Sequence, residues 1–174
     1  MNKSIHIAAA VVAAGILGTA AAQPALAAPP TPVPTPDDLF LEAGIGCPDF
    51  ELKVSSSGGN LHKKEFKDRN GATVRIISAG KGFDITYTNV GSGESVTVKT
   101  PGSVSKTVDN GDGTQTVSST GHNGLILFPS DIPAGPTTTH YTGRIVYNVN
   151  LQTGVFTLVS TAGQERDICS ELSD

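Results

Sequence analysis

The sequence predicts an all-β fold: an antiparallel meander of about nine or ten strands, closed as a barrel or folded as a β-sandwich, with its termini joined by one disulfide. Three observations carry that expectation. Apolar and polar residues alternate with period two through most of the chain after residue 45. Glycine-containing turn signals recur between these runs. Two cysteines, Cys47 and Cys169, flank the whole strand region.

The chain begins with Met1-Asn2-Lys3, a short cationic start, and an apolar stretch from Ile5 to Ala22 rich in Ala, Val, Ile and Gly. Ala25-Leu26-Ala27 supplies the small-x-small pattern that signal peptidase accepts, so residues 1–27 read as a signal peptide cut between Ala27 and Ala28. As a membrane anchor the stretch would be borderline in length, and His6 and Thr19 interrupt it. A lipid anchor is disfavoured, because Gly44-Ile45-Gly46 before Cys47 lacks a lipobox leucine. No later apolar run is long enough to span, so no stable membrane span is expected after cleavage. The expected location is extracellular or cell-wall associated.

Residues 28–36 form a Pro/Thr-rich linker. Pro29, Pro30, Pro32, Pro34 and Pro36 favour extended polyproline and disfavour a helix or a central strand. Residues 37–174 then form a single all-β domain. Asp37 to Ala43 predicts one helical turn capped by an aspartate.

The strand candidates follow in order. Phe50, Leu52 and Val54 alternate with polar residues, as do Val74 and Ile76; Phe83, Ile85 and Tyr87; Val96 and Val98; and Tyr141, Ile145, Tyr147 and Val149. Such alternation marks strands with one face in a core and the other in water. Asn70-Gly71, Gly91-Ser92-Gly93, Pro101-Gly102, Asn110-Gly111-Asp112-Gly113, Asn123-Gly124 and Thr153-Gly154 read as the turns between them. No later helical stretch is long enough for a crossover, so the pairing is expected to be antiparallel.

Cysteines in an exported chain are expected to pair; two buried free thiols are the alternative. A Cys47–Cys169 bridge needs Cα atoms within about 7 Å, which brings the ends of the domain together. In a meander those ends are the free edges, and joining them favours closure.

The formal net charge is −4 at pH 7, and loss of Lys3 with the signal makes it more negative. A mildly acidic domain has no general attraction for nucleic acid. The absence of Trp weakens a reading as a sugar-stacking module.

Candidate chemistry is sparse. His62, His122 and His140 lack the spacing of a zinc site on one element and read as surface or loop histidines; no metal and no cofactor is expected. Ser130, Asp131 and His140 make a triad only on paper, because no G-x-S-x-G elbow is present and Pro129-Ser130-Asp131-Ile132-Pro133 reads as a turn. Asp109 to Thr114 resembles half a calcium loop with the wrong oxygen spacing and reads as a hairpin loop. Lys63 to Arg69 reads as an edge strand protected by charge. The run from Gly121 to Pro129 is the most apolar of the domain and suits a strand buried on both faces. His122 and Asn123 at its start, with His140, are the ligand-rim candidates. A cavity of roughly several hundred Å3 lined by Phe83, Tyr87, Leu125, Leu127 and Tyr147 would mark an apolar carrier.

Cys47-Pro48-Asp49-Phe50-Glu51, Gly82-Phe83-Asp84, Thr88-Asn89, the Asp109–Thr114 turn, Gly121-His122-Asn123-Gly124 and Arg166-Asp167-Ile168-Cys169 occur in this order. The set resembles an uncharacterised family of small secreted β-rich proteins from actinobacteria. The resemblance implies export across a Gram-positive-type membrane and a β-domain with paired cysteines; it carries over no activity. The expected function is a non-enzymatic binding or envelope-associated module. Its partner would be a small apolar ligand, a cell-wall component or an extracellular protein. The alternative is a secreted hydrolase with a site dispersed over loops.

Overall fold

The computed structural model describes residues 29–173. The expected signal peptide, with Ala27 and Ala28 at its cleavage site, lies outside the described residues. The elements are β1 (Thr31–Pro32), β2 (Leu39–Leu41), β3 (Leu52–Ser57), β4 (Asn60–Lys67), β5 (Thr73–Lys81), β6 (Asp84–Asn89), β7 (Ser95–Val98), β8 (Ser103–Asp109), β9 (Thr114–Leu127), β10 (Thr137–Asn150), β11 (Phe156–Asp167) and the short helix α1 (Ile168–Glu171). The described chain is all-β and its strands pair antiparallel, as expected.

The single meander is corrected. One sheet has seven strands in the order β1-β4-β5-β8-β9-β10-β11, and a second has four in the order β2-β3-β6-β7. The chain changes sheet between β1 and β2, β3 and β4, β5 and β6, and β7 and β8; only β8 to β11 run as a meander. The physical reason lies in the connections. Gly58 and Gly59, with φ of +65° and +80°, turn the chain from one sheet to the other. Pro101-Gly102 does the same between β7 and β8 instead of closing a hairpin. Among the described residues neither sheet closes on itself: β1 and β11 are the edges of the larger.

Two local expectations are also overturned. The helical turn predicted at Asp37–Ala43 is strand β2. Leu39, Phe40 and Leu41 pair with Val54, Lys53 and Leu52, and Asp38 forms an ion pair with Lys53 at 2.8 Å in place of capping a helix. Burial of Leu41 in the core outweighs the local helical signal. Asn123-Gly124 is no turn but lies inside β9, opposite Tyr141 and His140 of β10. The charged segment at Lys63–Arg69 keeps an open edge from Lys64 to Lys67, as expected; Thr31 and Pro32, inside the expected linker, pair only with Lys63 and His62. Pro32 is tolerated there because β1 is an edge.

The core has two clusters. The first joins Leu41, Leu52, Tyr87 and Val98 of the small sheet to Cys47, Ile168, Cys169 and Leu172, with Ile126 of β9 and Phe128 just after it packed against it. The second gathers Leu125, Leu127, Tyr141 and Ile145, with Tyr147, Phe156 and Leu158 against them. Alternate residues of β9 thus serve different clusters, as a strand buried on both faces requires.

The disulfide forms as expected. Cys47 and Cys169 are bridged with a Cα–Cα distance of 5.4 Å, and both lie in the first cluster. Two buried hydrogen bonds fasten the same region: Thr138 Oγ1 donates to the Gly46 carbonyl at 2.8 Å, and Asn89 Nδ2 donates to the Leu172 carbonyl at 2.9 Å.

A row of glycines crosses the large sheet. Gly80 lies opposite Ser103, Ser103 opposite Gly121, Gly121 opposite Gly143, and Gly143 opposite Gly163. The four glycines have φ of +139°, +96°, +149° and +115°. A Cβ at any of them would fall 2.1–2.3 Å from a backbone carbonyl oxygen of the neighbouring chain segment. The regular pleat is broken along this line, where only glycine fits between the backbones.

Candidate functional site

The candidate site lies immediately beyond that row, on β9, β10 and β11. Residues directly opposite on paired strands share a face. The register sets His122 opposite Thr142, and Thr142 opposite Gln164; it sets Gly124 opposite His140, and His140 opposite Arg166. The result is a two-by-three patch: His122, Thr142 and Gln164 in one row, Gly124, His140 and Arg166 in the next. His122, His140, Thr142, Gln164, Glu165 and Arg166 line a recess of about 550 Å3 beside Val98.

The two histidines dominate it. His140 is only 3% exposed, so it is no surface or loop residue, and both histidines sit in strands; that expectation is corrected. His122 Nδ1 lies 3.4 Å from His140 Nε2, with ring centroids 5.6 Å apart. Thr142 Oγ1 is 3.5 Å from the same His122 nitrogen. His140 Nδ1 is buried without a hydrogen-bond partner. Burial holds the His140 imidazole neutral, and Coulombic repulsion from His122 and Arg166 acts in the same direction, lowering its pKa to about 4.

The remaining groups are held in place from outside the patch. Arg166 makes a bidentate pair with Glu171 of α1, at 2.5 and 2.6 Å. α1 is itself capped by Asp167, whose carboxylate accepts from the Ser170 amide at 3.1 Å. Gly124 has a separate reason to lack a side chain: a Cβ there would sit 2.5 Å from the Tyr87 hydroxyl. Burial pushes that phenol up to about 12.

Asn123 faces a different space. With His122, Phe83, Ile85, Ile145 and Tyr147 it lines a second hollow of about 240 Å3 that also receives Ser56, Ser103 and Ser119. Its Nδ2 is buried without a partner. Of the three predicted rim residues, His122 and His140 therefore meet in one recess, and His122 alone borders both. His62 lies on β4 opposite Ala79 and lines neither space.

Other sequence candidates resolve into structure. Asp131 is 3% exposed, and its two carboxylate oxygens accept the Phe128 amide at 2.6 Å and the Phe156 amide at 2.8 Å. It fastens the β9–β10 connection to β11. Asp109 to Thr114 is a hairpin loop: Asp109 accepts the Gly111 amide at 2.8 Å, and Asp112 accepts the Thr114 amide at 3.0 Å. The five residues expected to line one apolar cavity do not do so. Tyr87 belongs to the first cluster and Leu125 and Leu127 to the second, and only Phe83 and Tyr147 reach the smaller hollow.

Sequence reasoning missed Thr142, Gln164 and Arg166. A partial signal exists in the even spacing of His140 and Thr142, but the partners on β11 depend on register. Among the described residues no three or more His, Cys, Asp or Glu side chains gather as metal ligands, and none of the described helices is long and apolar enough to cross a membrane. Comparison with known proteins found no matching family model, no matching curated protein and no matching solved structure.

Proposed function

We propose that this is an exported, non-enzymatic binding module, a two-sheet sandwich that engages its ligand in the recess between His122, His140, Thr142, Gln164 and Arg166. The single observation that carries the reading is the convergence of these five polar side chains, from three strands, on one recess of about 550 Å3. That volume falls within the usual range of small-ligand sites, roughly 300–1,000 Å3. The buried disulfide supports an oxidising, extracellular setting. The signal-like start and the likeness to secreted actinobacterial β-proteins support export from a Gram-positive-type cell.

A hydrolase reading would need a carboxylate to orient a histidine. The hydrogen-bonding of Asp131 is spent on two backbone amides, Glu165 in the recess makes no hydrogen bond to either imidazole among the described residues, and the partner of His140 Nε2 is His122 Nδ1. This favours binding over hydrolysis. The hydrogen-bonding groups of His122, Thr142, Gln164 and Arg166 favour a ligand that carries polar groups, such as a wall component.

Native mass spectrometry of the protein recovered from its own culture medium tests the proposal. The expected result is a ligand that co-purifies with the wild type and is lost from His122→Ala. A ligand retained equally by His122→Ala would place binding elsewhere and refute the assignment.

A further inference from the structure

His122 Nδ1 and His140 Nε2 face each other at 3.4 Å. An N–H···N hydrogen bond at that distance would be long and weak, since N–H donors ordinarily lie about 2.7–3.2 Å from an oxygen acceptor. The ring proton of His140 cannot satisfy both of its nitrogens within the chain. Placed on Nε2 it makes only the long contact to His122, and Nδ1 is left as a bare buried acceptor. Placed on Nδ1 it is a buried, unpaired donor, and Nε2 turns its lone pair toward His122.

The distance does fit two ligands of one metal ion. Zinc–imidazole bonds are about 2.0–2.1 Å, and a tetrahedral angle between two of them separates the nitrogens by roughly 3.3–3.4 Å. A square-planar arrangement would need them at only about 2.8–3.0 Å. Thr142 Oγ1, 3.5 Å from His122 Nδ1, offers an oxygen on the same side. The recess leaves room for water at the remaining positions. The Arg166 guanidinium is paired with both oxygens of Glu171, which weakens its opposition to a bound cation without abolishing it.

We infer that His122 Nδ1 and His140 Nε2 form a cross-strand site for a tetrahedral divalent metal of the zinc class, completed by water or Thr142. The inference rests on the reading of this recess as the binding site and names a ligand class for it. The site has two protein ligands, so its coordination is open. An exogenous oxygen or nitrogen donor in the recess, beside Gln164, would complete it.

The test uses untagged protein freed of metal by a chelator. It is titrated with Zn2+ by calorimetry and with Co2+ by visible spectroscopy, whose intense d–d bands report tetrahedral geometry. Wild type and His62→Ala should bind one ion with the same affinity. His122→Ala should bind at least about tenfold more weakly, since even outer-shell changes cost 10–100-fold at metal sites. Zn2+ should also shift the ring 15N signals of His122 and His140 in the wild type, which guards against misfolding of a His140 variant. Absence of stoichiometric binding, or equal affinity in wild type and His122→Ala, would overturn the inference. If the culture-medium ligand is still captured while Zn2+ fails to bind, the metal site falls and the recess stands. If Zn2+ binds the wild type and His122→Ala alike and the organic ligand also survives His122→Ala, both fall.

Discussion

Replacing Gly143 by alanine probes the glycine row directly. Gly143 has φ +149°, and a Cβ there would lie 2.1 Å from the Ala162 carbonyl oxygen, 2.9 Å from Gly163 Cα and 3.0 Å from Ala162 C. All three obstructing atoms are backbone of β11, which is in continuous register with β10 from Thr139 to Val146. No side chain can swing away, so the strands must separate by about 1 Å locally or lose their hydrogen bonds. Gly154, in the β10–β11 turn, is the matched control: its φ is +73° and a Cβ there meets nothing within 4 Å. A left-handed alanine costs roughly 1–2 kcal/mol from conformation alone, which is the whole effect expected for Gly154→Ala. Gly143→Ala adds the collision and should reach about 4 kcal/mol or more, in the exceptional range for a single substitution. Against a typical domain stability of about 5–15 kcal/mol this removes a large share. Urea unfolding followed by far-UV circular dichroism and Tyr fluorescence, with no Trp to interfere, measures both variants. If the two lie within about 1 kcal/mol of each other at unchanged m-values, the close approach of β10 and β11 is not what the glycine row serves.

Thr138→Val should cost about 1–3 kcal/mol, because it keeps the shape of a fully buried side chain but leaves the Gly46 carbonyl unpaired; a midpoint unchanged in urea would refute this. Reduction of Cys47–Cys169, or its replacement by serines, should lower stability by about 2–5 kcal/mol, since the bridge closes a loop with a sequence separation of 122 residues; a melting temperature insensitive to reductant would contradict it. In metal-free protein His140 should make stability fall with acid. Its folded pKa, about 4, lies below the ordinary value of 6.5, so the unfolded chain takes up the proton first. The contribution is complete above about pH 6.5 and is lost as pH falls toward 4, amounting to about 1–3 kcal/mol given the recess beside the ring; a flat urea midpoint between pH 7 and pH 4.5 would refute the assignment.

Period-two alternation was enough to place most strands, because half-buried strands have to alternate. The disulfide followed from two cysteines and the export-like start. What alternation cannot carry is which sheet a strand joins. Ile85 and Ile76 alternate with polar neighbours alike, yet lie in different sheets, and the deciding information is the local geometry at Gly58-Gly59 and Pro101-Gly102. Asn123-Gly124 misled for a related reason. The pair has ideal turn chemistry, but fourteen consecutive register pairs with β10 hold β9 extended through it. The glycine row was present in the sequence at 121, 143 and 163, and its meaning appears only when the register aligns it. The same holds for the site: His140 was visible as a histidine, whereas its burial and its approach to His122 depend on a diagonal relation across two strands.

The placement of the recess follows from how the chain end is secured. Arg166 lies opposite His140 in the last turn of pairing, and two residues later the chain enters α1 and reaches Cys169. The end of β11 is an outer edge of the sheet, where a strand would ordinarily fray. Here it is bound by the disulfide to Cys47, by the Asp167 cap, and by the Arg166–Glu171 pair. The opposite wall is fixed through Thr138, which ties β10 to the residue just before Cys47. Both walls of the recess therefore depend on the same covalent link. Reducing the bridge should loosen Gln164 and Arg166 before it loosens the Thr114–Thr120 end of β9, which lies on the far side of the glycine row. Amide hydrogen exchange on the reduced protein would then accelerate first at residues 164–169. Uniform acceleration along β9, β10 and β11 would mean that the bridge stabilises only the unfolded-state balance, and that the recess is organised by the sheet alone.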